Sequence, residues 1–159
     1  MKPSIYNPIR CLMLVLALWP SAFAAGKPRC QSVGGSVMTN FGGVDQNTTL
    51  GTATGDLRGA VAGTVVNVVP GANGTVVFTV QHHWVMEAGD SISSDPAQAT
   101  TLPLSQSLFA VITYALHITG GTGKFAGATG DIHMIGEADL VEGTVFRYTG
   151  KVCFAQSAP

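Results

Sequence analysis

Ile118-Thr119-Gly120-Gly121-Thr122-Gly123-Lys124-Phe125-Ala126-Gly127-Ala128-Thr129-Gly130 places five glycines within thirteen residues. Glycine tolerates positive φ and lets backbones approach closely, so the run suits a wide turn or bulge between strands. The chain alternates with period two on both sides of it. Upstream, Leu108, Ala110, Ile112, Tyr114, Leu116 and Ile118 share one face. Downstream, Ile132, Met134 and Ala138 oppose Asp131, His133, Glu137 and Asp139. Such alternation marks half-buried strands. Gly120, Gly121, Gly123, Gly127 and Gly130 are therefore read as a structural turn, with Phe125 folded back as an apolar plug. A dinucleotide fingerprint would need a helix after the glycines, and a Walker loop would need Ser or Thr after Lys124; the chain has neither.

The same alternation recurs along the chain. Residues 75–87 set Val76, Phe78, Val80, His82, Trp84 and Met86 on one face, and the opposite face is far more polar. Residues 144–154 put Phe146, Tyr148 and Val152 opposite Arg147, Thr149 and Lys151. Residues 59–69 form a strand rich in Val and Thr, and 36–40, 48–54 and 100–103 read as shorter ones, the last at an edge. Pro70-Gly71-Ala72-Asn73-Gly74 has hairpin-loop chemistry, and 88–99 reads as polar and turn-rich. Helical periodicity, linkers and repeats are lacking after the first residues.

This pattern predicts an all-β chain, a single antiparallel β-barrel of about eight strands, closed or nearly closed. A β-sandwich shares the alternation and stays open as the competitor. An outer-membrane barrel fits poorly, because the chain ends Gln156-Ser157-Ala158-Pro159 and its aromatics form no paired girdles. Val76, Phe78, Val80, Leu108, Ile112, Leu116, Ile132, Phe146 and Val152 are expected inward; a one-residue slip would turn each outward.

Residues 1–24 read as a signal peptide: Lys2 and Arg10 precede an apolar stretch too short to span a bilayer, and Ala22-Phe23-Ala24 is an A-x-A cleavage site. The expected mature domain is 25–159, secreted or periplasmic after cleavage near Ala24, with no membrane span. Its net charge is about −3, from six Lys and Arg against nine Asp and Glu. Without a basic patch, nucleic acid is not an expected partner. Cys11 leaves with the signal peptide. Cys30 and Cys153 remain, and an even count in an exported chain favours one disulfide between them.

The run from Ile118 to Gly130 resembles the GGTGxFxxAxG signature of the plant dirigent proteins and, more loosely, their relatives in the allene oxide cyclase barrel superfamily. The match is close over about thirteen residues and extends loosely to the C-terminal strands. It implies a secreted barrel whose cavity orients a reactive intermediate. Ala126 and Thr129 depart from it where dirigent proteins usually carry Arg.

If the apolar faces line a barrel, His82, Tyr114 and Tyr148 are its polar members, with Trp84 and Phe146 as aromatic neighbours. These five are the candidate ligand-binding residues. They suit a small apolar, aromatic or phenolic ligand, or proton transfer; core residues with satisfied polar tips are the alternative. His83, His117, His133, Glu87, Glu137 and Asp139 fall on the opposite faces without metal-ligand spacing, so no metal and no cofactor is expected. Three functions stay open at this point: a binder of a small hydrophobic or aromatic molecule, a dirigent- or cyclase-like isomerase, and a structural or interaction protein with a filled core. Whether the chain catalyses anything is open too.

Overall fold

The computed structural model describes residues 28–155. The expected signal peptide and its cleavage site lie outside the described residues. Nine strands follow in order: β1 (Arg29–Asn40), β2 (Thr48–Ala53), β3 (Gly59–Pro70), β4 (Val76–Met86), β5 (Ser91–Ser94), β6 (Ala97–Pro103), β7 (Leu108–Gly121), β8 (Thr129–Asp139) and β9 (Gly143–Phe154). Every pairing is antiparallel. The sheet closes through β1 and β9, so the architecture is a barrel rather than a sandwich.

Strands β5 and β6 occupy one position between β4 and β7. The first pairs with the Trp84 end of β4 and the second with its Val76 end, and both pair with β7. Asp95 and Pro96 separate them. Proline has no N–H to give a ladder, so a strand breaks there. Nine strands thus fill eight positions. The turn-rich reading of 88–99 missed β5, and the strand expected at 100–103 is longer and is no edge. Strand β1 also exceeds its expected bounds and runs straight through Gly34 and Gly35. A Cβ on Gly35 would collide with the Thr54 carbonyl and the Tyr148 ring, which fold over it.

Inward residues include Phe78, Leu116, Ile132, Phe146 and Val152, as alternation predicts. Val76 and Val80 are partly buried against the same core. Strand β7 departs from the expectation. Thr100 and Thr101 of β6 face Thr113 and Val111, so Ile112 is an extra residue in a β-bulge. A bulge shifts the face of everything beyond it by one residue. Phe109 and Val111 therefore point inward before it, and Tyr114, Leu116 and Ile118 after it. Leu108 and Ala110 are only partly buried, and Ile112 is 50% exposed. A pure period-two reading could not see this, because one inserted residue is invisible when both faces of the segment carry apolar side chains.

The disulfide joins Cys30 and Cys153, directly opposed residues of β1 and β9. It spans 123 residues of sequence. On the loop-entropy account, closing such a loop removes roughly 4–5 kcal/mol of unfolded-state freedom. It sits at the seam where the first and last strands meet.

The glycine run is shorter as a turn than its glycines suggest. Gly120 and Gly121 end β7, Gly130 lies in β8, and a single 3-10 turn, Gly123–Phe125, makes the reversal. Gly123 has φ +54°, and a Cβ there would meet the Asp90 carboxylate, so both conformation and space call for glycine. Phe125 is fully buried and its ring lies 5.6 Å from that of Phe154.

The bulge makes a stability prediction. Leu116→Ala should cost roughly 2–5 kcal/mol, whereas Ile112→Ala should cost under about 1 kcal/mol. Urea midpoints of the two variants check this; a large loss at Ile112 would mean the bulge is misplaced.

Candidate functional site

The two ends of the barrel are built differently. At the end where β1 begins, the Gly55–Leu57 turn folds inward and buries Leu57. Its carbonyl accepts the Trp84 indole N–H at 2.8 Å, and its N–H donates to the Tyr148 hydroxyl at 2.9 Å. That hydroxyl donates in turn to the Thr54 carbonyl at 2.7 Å. Trp84 and Tyr148 meet edge to face with centroids 5.6 Å apart. Phe125 and Ile118, both fully buried, complete the filling.

The other end is hollow. A cavity of about 70 Å³ reaches from Trp84 up to Phe41 and Leu140. An apolar cavity of roughly 150 Å³ holds benzene, so a single ring here would extend into the mouth between Phe41 and Leu140. Leu140 is 40% exposed and, with Phe41, also lines a shallow depression on the surface. The walls are overwhelmingly apolar and include Val37, Val61, Phe78, Met134 and Phe146.

One titratable pair lies within these walls. The Tyr114 hydroxyl and His82 Nε2 are 2.6 Å apart. Their strands, β7 and β4, are not neighbours; β6 lies between them. Ala97 and Ala99 are the buried inward residues of β6 at this level, and such small side chains let His82 and Tyr114 reach across. The Tyr114 ring also stacks edge to face on Phe146 at 5.7 Å. As a residue His82 is partly exposed, yet its Nδ1 is buried and has no hydrogen-bond partner. Burial lowers the His82 pKa to about 4 and raises that of Tyr114. Desolvation disfavours each charged form, so both groups are neutral at pH 7.

Of the five residues expected at the site, His82, Trp84, Tyr114 and Phe146 line the cavity. Tyr148 is inward but lies in the filled half, its hydroxyl spent on Thr54 and Leu57. Alternation places a residue on a face and says nothing of its height along the barrel. Sequence reasoning missed the hydroxyls of the hollow half: Thr39 and Thr144 pair at 2.7 Å, while Thr49 and Thr101 bond to backbone carbonyls. A register of β1 against β9 was needed to find the first pair, because 105 residues separate them. His83, His117 and His133 lie on the exposed outer wall, where His117 Nδ1 meets Asp131 at 2.8 Å. Among the described residues, no three His, Cys, Asp or Glu side chains converge on a metal site.

No protein-family model and no curated protein matches the chain. The solved structures similar to it include two dirigent proteins. The pterocarpan synthase dirigent protein GePTS1 aligns at 13% identity and TM-score 0.36, over 88% of this chain and 97% of that one. The pterocarpan synthase dirigent protein PsPTS1 aligns at 12% identity and TM-score 0.35, over 83% and 99% respectively. The barrel described above stands on its own strand register, and neither likeness bears on what this chain binds.

The buried imidazole makes stability depend on pH. His82 is protonated near pH 6.5 when unfolded but only near pH 4 when folded. Below pH 6.5 the unfolded chain binds more protons, so this contribution is full above 6.5 and is lost as pH falls toward about 4. The most it can amount to is roughly 3 kcal/mol. His117 works in the opposite direction, since the Asp131 hydrogen bond raises its pKa. Urea midpoints at pH 7.5 and pH 5 should therefore differ less in His82→Leu than in the parent chain. An unchanged difference would place His82 in water.

Proposed function

We propose that the hollow half of this barrel holds one small, largely apolar or aromatic molecule. The carrying observation is the apolar cavity between Trp84 and the Phe41–Leu140 mouth, broken by one imidazole–phenol pair and by the hydroxyls of Thr39, Thr49, Thr101 and Thr144. Apolar walls supply affinity at roughly 25 cal/mol per Å² removed from water, and a few fixed polar atoms set orientation. The space between the walls supports this reading over a filled structural core.

The isomerase reading needs an acid and a base facing the ligand. No carboxylate, lysine or arginine is among the lining residues. His82 and Tyr114 are neutral and bonded to each other, which supports binding over proton transfer. His82, Trp84, Tyr114 and Phe146 are the residues proposed to touch the ligand. The Cys30–Cys153 disulfide supports an oxidising compartment, and with the signal-like first 24 residues it supports a mature domain that begins near Ala25 and works outside the cytoplasm.

Titrating the protein with toluene should shift the Trp84 indole resonance saturably. Ala138 lines the cavity, so Ala138→Leu should fill the space, cost about 1–3 kcal/mol of stability and abolish the shift. A linear, unsaturable response in the parent chain would leave the structural reading in place.

A further inference from the structure

Resting on the binding reading above, the hydroxyl geometry of the cavity carries a statement about which ligands it accepts. The Tyr114 hydroxyl and His82 Nε2 are 2.6 Å apart, and the tautomer decides which donates. The bare nitrogen of a neutral imidazole is a better acceptor than a phenol oxygen, and the phenol is the stronger acid. Tyr114 therefore donates its proton to Nε2, and the phenol oxygen keeps only lone pairs. The imidazole proton is then on Nδ1, which is buried without a partner and cannot serve a ligand.

The threonines repeat the pattern. Thr101 Oγ1 donates to the Val76 carbonyl at 2.9 Å, and Thr49 Oγ1 to the Gly63 carbonyl at 3.3 Å. Within the Thr39–Thr144 pair one hydroxyl donates to the other, which leaves a single uncommitted proton. The hydroxyl oxygens of the lining residues thus offer lone pairs and a single free proton. A ligand group that can only accept has that one proton to meet and otherwise faces lone pairs, and a buried unpaired polar group is costly. A carboxylate would fare worse, since no Lys or Arg lines the cavity to neutralise it.

We propose that the cavity selects uncharged ligands of single-ring size that donate a hydrogen bond, an alcohol or N–H group meeting the Tyr114 oxygen, and that it rejects the carboxylate of the same body.

Calorimetric titrations of the disulfide-bonded protein at neutral pH with toluene, benzyl alcohol, benzaldehyde and benzoate test this. Benzyl alcohol should bind about tenfold more tightly than benzaldehyde, and benzoate should not bind measurably. In the Tyr114→Phe/His82→Leu double variant, which removes both the phenol oxygen and the imidazole nitrogen it covers, the alcohol should lose its advantage while toluene binds as before, which also shows that the variant is folded. Toluene binding accompanied by benzaldehyde equal to or tighter than benzyl alcohol, or by benzoate binding, would overturn this inference alone. Failure of toluene to bind the parent protein would overturn the inference and the binding reading together.

Discussion

The pairing of β1 with β9 is the constraint on which the rest of this structure depends. Eleven residue pairs join the first strand to the last, from Arg29 opposite Phe154 to Thr39 opposite Thr144. These are the contacts most distant in sequence and hence the most expensive in chain entropy. Without them the sheet would present two open edges, each a row of unsatisfied backbone groups. The disulfide lies one residue in from the end of this ladder and shares its register. It acts on the unfolded chain by removing the freedom that closure would otherwise have to overcome.

Closure leaves an interior whose two halves are used differently. In one half, backbone is driven into the barrel: the Gly55–Leu57 turn enters, and Trp84 and Tyr148 satisfy its polar groups. Burying those groups without the indole and the phenol would leave them unpaired at about 1–3 kcal/mol each, more than a formed hydrogen bond contributes, so filling and capping are one arrangement. In the other half no chain segment enters. Small residues, Ala99 and Ala138 among them, leave the space between Phe78, Val111 and Phe146 unfilled by side chains. The apolar side of the wall faces inward, the reverse of a water-filled membrane barrel.

Much of the fold could be read from the sequence, and the failures have physical causes. Strands β4, β8 and β9 alternate cleanly because one face meets the core and the other meets water. Strand β7 alternates too, but its bulge at Ile112 changes the buried face midway, and apolar residues on both faces hide the change. Strand β5 is hidden in a polar stretch because it is only four residues long and is ended by Asp95 and Pro96. For the candidate site, the face was legible and the depth was not. His82 and Tyr114 could be placed inward by parity alone, yet that they touch depends on alanines in an intervening strand. Tyr148 has the same parity and a different fate, because its height in the barrel matches an inserted turn rather than the cavity.

Amide hydrogen exchange across the β1–β9 seam tests closure most directly. In the disulfide-bonded protein, the hydrogen-bonded amides of β1 and β9 should open only with the whole molecule, at the same free energy as those in the β7–β8 ladder. Seam amides that exchange at much lower free energy than β7 and β8 would describe an open sheet with frayed edges and contradict a closed barrel.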